Sequence, residues 1–289
     1  MPNYASIDGS IKSIRGQVIF TLRKKEIKTM EILVTGRRFA LLMLIILWIV
    51  ILYGMEQAKK KLPPFRKLTG LDALPEMVGR AAEMNRPVHF TTGLGSLTES
   101  VAPQLVAGLA VLAHVAELCA NYGVKLIYSV YQAQVMPIAT ELMKSAYVKA
   151  GKPEEFIAEE SVRYLSGAQF AYASAVQGIA ERERPAANIM IGPFYAESML
   201  FAETFNRIGS IQLAGTARGY QIPFFAVICD YLLIGEEIYA AGAYLSKDPM
   251  QAGTIRGQDY GKALALILMI LGVLMTAVGS SFIVDLLGM

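Results

Sequence analysis

VHFTTGLGSLTESVAPQLVAGLAVLAHVAELCANYGVKLIYSVY, residues 88–131, reads as strand, helix, strand. Residues 88–92 and 125–131 are short, apolar and rich in β-type side chains, while 99–122 repeats apolar residues three and four positions apart. The alternation continues down the chain: a helix at 135–150, a strand at 188–194, a helix at 197–208, an extended pair at 210–216 and 223–230, and a helix at 232–245. Parallel strands need a crossover between them, and helices of this length supply it. The expected fold class is therefore α/β: a Rossmann-like, mostly parallel sheet flanked by helices, joined to two transmembrane helices.

The helix at 99–122 is apolar on more than one side. Val101, Leu105, Leu109, Leu112, Val115 and Cys119 form one face, and Val106, Ala110 and Ala113 leave the opposite face nearly apolar too. Phe170, Tyr172, Ala173, Val176 and Ile179 form a further small-residue surface, and Tyr239, Ala240, Ala241, Ala243 and Tyr244 another. Such faces are covered by neighbouring helices of the same chain, by another subunit or by the membrane surface, and the subunit reading gives a homo-oligomer or larger membrane complex as an expected assembly.

Outside this body the chain changes character. FALLMLIILWIVILYGM, residues 39–55, has no charge, and neither has 263–284. A helix of about 17 to 25 apolar residues crosses the hydrocarbon core of a bilayer, so the lipid bilayer is an expected partner. The organisation follows: a basic arm at 1–38, a first transmembrane helix at 39–55, a linker at 56–70 with a Lys-rich and Pro-containing stop, a cytoplasmic α/β domain at 71–255, and a second transmembrane helix with its approach at 256–289. Met30 offers a second start, which would remove most of the arm. Basic residues flank the first span on both sides, whereas Lys247, Arg256 and Lys262 precede the second and no basic residue follows it. By the positive-inside rule the central domain faces the cytoplasm, in a multi-pass protein of the cell membrane.

Composition narrows the function. The mean hydropathy of +0.42 fits two spans plus one globular core. A net charge of +3, with Lys and Arg gathered beside the first span, does not build a nucleic-acid surface. Two cysteines and two histidines at unrelated positions supply neither a disulfide framework nor a zinc spacing, so no metal and no cofactor are expected. No Gly-x-Ser-x-Gly elbow occurs, and Ser198 has no base visible beside it.

Ligands of open α/β sheets bind beyond the carboxyl ends of the strands, which directs attention to the loops leaving them. Thr92, Gly93, Gly95 and Ser96 follow the first strand, Tyr131 and Gln132 the second, and Tyr195 lies in the loop after 188–194; these are the candidate ligand-binding residues. Gly93 and Gly95 lack both the third glycine of a dinucleotide fingerprint and the Lys-Ser/Thr ending of a nucleotide triphosphate loop. Glu99 and Glu197 lie where a phosphate would approach a helix N-terminus, and capping is the ordinary role of such acids. The candidate catalytic residues are Glu197, Asp230 and Glu236, as an acid/base pair or a cation site, with Glu237 beside them.

Three stretches carry a family resemblance. LAGTARGYQIPFFAVICDYLLIGEEIYAAGAYL (213–245), GLDALPEMVGRAAEMNRPVHF (70–90) and GQDYGKALAL (257–266) resemble an uncharacterised family of prokaryotic membrane proteins, a domain of unknown function. The similarity covers residues 70–266 and implies a Rossmann-like central domain between hydrophobic anchors, with no activity to transfer. The leading expectation is a membrane-anchored scaffold or accessory subunit that self-associates through its α/β domain. The alternative is a membrane-tethered enzyme or sensor that takes a small polar or cationic ligand at the strand ends.

Overall fold

The computed structural model describes residues 38–60, 66–246 and 248–280. Residues 1–37 of the basic arm at 1–38, part of the linker and the end of the second apolar run lie outside them. The chain divides into two compact units, an α/β body and a pair of long apolar helices, the division falling after Gly54 and before Arg256.

In chain order the elements are α1 (Arg38–Lys60), α2 (Leu74–Glu83), β1 (Val88–Thr91), α3 (Ala102–Tyr122), β2 (Leu126–Val130), α4 (Met136–Lys149), β3 (Val162–Tyr164), α5 (Gln169–Glu183), β4 (Ala187–Ile191), α6 (Glu197–Arg207), β5 (Ile211–Thr216), α7 (Ile222–Ile228), β6 (Tyr231–Ile234), α8 (Glu237–Ser246) and α9 (Pro249–Ala277). Single-turn helices at Thr69–Asp72 and Ala158–Ser161 lie between them. All six strands are parallel, in the order β3-β2-β1-β4-β5-β6. This is the doubly wound arrangement: the chain moves outward from β1 to β3, returns to β4 and moves outward again, so its helices fall on opposite faces.

One face is covered by α2, α3, α4 and α8, the other by α5, α6 and α7, each with its own apolar core. The strands β1, β2 and β4 are buried throughout, which explains their continuous apolar runs in place of alternation. Helix α3 explains the surplus apolar surface read at 99–122. It packs on β1 and β4 with one side and meets α2, α4 and α8 with the others, all within the chain. Pro103 opens it, and Gly123, in the left-handed conformation at φ 67°, closes it.

Three expectations need correction. Residues 223–228 belong to helix α7 and do not form a strand; Pro223 at its first turn fixes a helical φ, and the strand that follows is β6. Helix α8 consequently starts at Glu237, later than expected. The short edge strand β3 had no counterpart in the sequence reading, because three residues carry too little periodicity.

Among the described residues three helices are long and apolar enough to cross a membrane: Phe39–Lys60, Ala102–Tyr122 and Pro249–Ala277. In the most apolar window of the second, α3, 56% of residues are buried inside the protein, against 6% and 0% in the first and third. Most of the apolar surface of α3 is thus covered by the body, with Val106 left outward, while α1 and α9 leave theirs outward. Within the helical pair, α9 meets α1 through glycine: a β-carbon on Gly257 would lie 2.6 Å from Ile51 Cα, and one on Gly261 would lie 3.0 Å from Leu47 Cδ2. The Gly-x-x-x-Gly spacing places both on one helix face and lets the backbones approach, as lipid-embedded helices require in place of a hydrophobic driving force.

The same steric rule holds in the body. A β-carbon on Gly108 of α3 would stand 2.3 Å from the Ile191 carbonyl oxygen and 2.8 Å from Thr92 Cγ2. Gly108→Ala must therefore push α3 off the sheet, and we expect a loss of about 2 to 3 kcal/mol in unfolding free energy, read by denaturant titration in detergent. In the helical pair, Gly257→Leu lowers resistance to unfolding in SDS titration by about 1 to 2 kcal/mol, whereas Ala265→Leu, at an exposed position of α9, leaves it unchanged.

Candidate functional site

β1 and β4 are neighbours from which the chain departs to opposite faces, so the space beyond Thr91 and Ile191 is the topological switch point where such sheets bind ligands. Here the two departing loops close on each other. Leu94 N–H donates to the Pro193 carbonyl at 3.1 Å. A β-carbon on Gly93 would stand 2.5 Å from Pro193 O and 2.6 Å from the Phe194 ring, and one on Gly192 would stand 2.4 Å from Thr92 O. Phe194 is fully buried and meets Phe225 edge-to-face at 5.5 Å. The glycines admit the chain's own backbone at the place where other folds admit a phosphate.

The remaining loop candidates are mostly spent on internal contacts. Thr92 Oγ1 pairs with the Tyr128 hydroxyl at 2.7 Å, Gly95 faces Leu105, and the buried Ser96 hydroxyl meets Thr98 Oγ1 at 3.3 Å. Gln132 is half-buried, and so is Tyr131, which packs edge-to-face on Tyr172 at 5.6 Å. Burial, followed by the charges of Glu99 and Glu197 and by Tyr164, raises the Tyr131 phenol pKa. Tyr195 is the outward member, with the Arg218 guanidinium 3.9 Å above its ring and bonded to its hydroxyl. Arg218 also donates to the Tyr220 hydroxyl. Sequence reasoning passed over Arg218, although it stands in the quoted family stretch.

The acids do not gather. Glu197, the first residue of α6, is fully buried, and its carboxylate accepts Tyr195 N–H at 2.9 Å and the Gln169 amide at 2.7 Å. A buried carboxylate with two donors at a helix N-terminus is satisfied where it stands. Asp230 accepts Gln212 N–H at 2.7 Å, at the opening end of β5. Glu197 lies past the closing end of β4, so the two acids are separated along the strand direction by roughly 13 Å or more. The reason is helix α7: a strand through 223–230 would have delivered Asp230 to the same end as Glu197. Glu236 is exposed in the turn after β6, and Glu237 accepts Ile234 N–H at 2.8 Å. Among the described residues no group of three or more His, Cys, Asp or Glu is placed to hold a metal ion. At the opposite end of the sheet a pocket of about 230 Å³ is lined by Lys125, Tyr147, Glu155, Glu160 and Ser161, but Lys125 and Glu160 already pair at 2.7 Å.

The densest polar chemistry lies inside the sheet. His89, Asn188 and Gln212 are in register on β1, β4 and β5. Gln212 donates to the Ala202 carbonyl at 3.0 Å, Asn188 donates to Gln212 Oε1 at 3.0 Å, His89 Nδ1–H donates to Asn188 Oδ1 at 2.8 Å, and the Ser129 hydroxyl donates to His89 Nε2 at 2.8 Å. The amide orientations assign this direction, since each amide nitrogen must donate. Ser129, His89 and Asn188 stand in the order nucleophile, base and orienter, yet all three are fully buried and His89 stacks on Phe205 at 4.9 Å. No substrate reaches them; the ladder joins four strands. Nothing but register reveals it, so the sequence carried no signal for it.

Burial pushes the His89 pKa down to about 4, and the Asn188 bond only partly opposes it. The unfolded chain, with an ordinary imidazole, binds a proton first as pH falls. Stability should therefore be complete above about pH 6.5 and decline between there and about 4, by roughly 3 kcal/mol in total. Unfolding free energy measured across that range should show the slope, and His89→Gln, which keeps both hydrogen-bonding capacities, should lack that component.

Neither a curated protein nor a solved structure matches this chain. A family profile does match, over residues 28–287, which is most of the sequence and takes in α1, the whole α/β body and α9. The chain belongs to the family described as a domain of unknown function, DUF6754.

Proposed function

We propose that this protein is a membrane-anchored scaffold or accessory subunit that self-associates through its α/β body at the cytoplasmic face of the cell membrane. The observation that carries the reading is the interlock of the β1 and β4 loops, which fills the switch-point crevice with Pro193 and Phe194. A sheet of this topology whose crevice is occupied by its own chain offers partners its outer surface. That surface includes exposed Val106 on α3 and exposed Ile138 and Val148 on α4, apolar groups left uncovered on one layer. The apolar lengths of α1 and α9 support the membrane anchor. The basic residues before the second span, with none after it, support the cytoplasmic side.

The rival reading, an enzyme or sensor for a small polar or cationic ligand, requires acids that converge. Glu197 and Asp230 lie at opposite ends of the sheet, which counts against it. The full chain in detergent should run as one defined oligomer in light scattering at micromolar concentration. Val148→Asp should shift it to monomer without changing its circular dichroism, and a wild-type monomer would overturn self-association.

A further inference from the structure

We infer that helix α7 lays its apolar face on the surface of an anionic lipid bilayer, with Arg218 beside it at the level of the headgroup phosphates. The inference rests on the membrane-anchored reading and adds to it a lipid-contacting element within the α/β body.

Helix α7, with the sequence IPFFAVI, contains no polar side chain, and only Phe225 is buried. Val227 is 86% exposed and Phe224 44%. Pro223 and Ala226 are exposed as well, so the outward face is apolar throughout. Helix α6 packs beside α7 and exposes Met199 and Leu200. A protein in water rarely presents so continuous an apolar surface without something to cover it.

The residues bordering α7 select lipid as the occupant. Glu203 on α6 and Asp230 just past α7 are exposed, and Arg207 lies 4.0 Å from the Glu181 carboxylate, so the cation that matters on this surface is Arg218. The Arg218 guanidinium has hydroxyl partners, Tyr195 and Tyr220, and no carboxylate partner among the described residues. Tyr220 is 54% exposed. An apolar helix bordered by tyrosine and an arginine without an acid is the composition of an interfacial membrane element: the apolar side chains enter the acyl boundary, and the aromatic and cationic groups stay at the headgroups. The chain's own apolar helices keep a bilayer within reach, so the contact forms without an association step in solution.

The protein contains one tryptophan, Trp48, which lies on α1. This permits a test with the full chain reconstituted into vesicles of equal parts phosphatidylcholine and phosphatidylglycerol. In the wild type, quenching of Trp48 by lipids brominated along the acyl chain reports whether α1 is in the membrane; absence of that quenching would overturn the anchored reading itself. In Trp48→Phe/Val227→Trp, the inference expects a blue-shifted emission, quenching by lipids brominated near the headgroup end, and iodide quenching reduced about threefold or more relative to Trp48→Phe/Ile157→Trp, at an exposed position outside the proposed self-association surface. Trp48→Phe/Phe224→Trp repeats the measurement at a second position on the same face. Trp48 quenched by lipid with position 227 open to iodide would leave the anchor standing and overturn the inference. Position 227 shielded from both iodide and brominated lipid would also overturn it, since a protein partner or second copy would then cover α7.

Discussion

Helix α3 is as apolar as a membrane span, and the rest of the body is arranged so that it does not behave as one. Its contact with the sheet depends on Gly108, where the backbone of the helix rests against the Ile191 carbonyl. With that side against the sheet, α2, α4 and α8 pack on the others, and the chain itself covers most of the helix while Val106 stays exposed. An interior packed at crystal-like density has no tolerance for a side chain at that contact, so one missing β-carbon determines the thickness of the layer. Leu105, Leu112, Val115 and Ala116 are then fully enclosed, each long side chain worth about 1.5 to 3 kcal/mol of transfer free energy.

The α/β class was readable because its signal is redundant: several strands and helices alternate, and an error in one leaves the rest intact. The errors fell on short elements. IPFFAVI is apolar in a way that suits strand or buried helix equally, and only the proline at its first turn favours helix. The three residues of β3 are below the length at which a period exists. The multi-sided apolar pattern at 99–122 was legible as a fact, but whether a sister helix or a sister subunit covers it depends on tertiary packing, and the structure supplies α4 and α8.

The candidate site was less legible, for a physical reason. Glu197 could be placed at a helix start from sequence, yet its partner Gln169 is 28 residues away on another helix, and no local pattern links them. The misreading of α7 moved Asp230 to the wrong end of the sheet, so one local error became a false convergence of acids. The ladder of Ser129, His89, Asn188 and Gln212 needs four strands in register before it exists at all. Each of these residues is unremarkable alone, and burial makes the set a structural element: unpaired, any one of them would carry a desolvation penalty of about 1 to 3 kcal/mol.

The two loops at the switch point show how one topology can hold opposite roles. In a dinucleotide-binding sheet, glycine after β1 clears space for a pyrophosphate at the switch point. In this chain glycine occurs on both loops, and each accommodates the other: Gly93 faces Pro193 and Phe194, Gly192 faces Thr92. Closing the crevice lets the aromatic cluster of Phe194, Phe201 and Phe225 continue to the end of the sheet, and this cluster supports α7 from beneath through the buried Phe225. The loop that closes on Gly93 at the switch point therefore also carries Phe194 into the platform from which α7 displays its apolar surface.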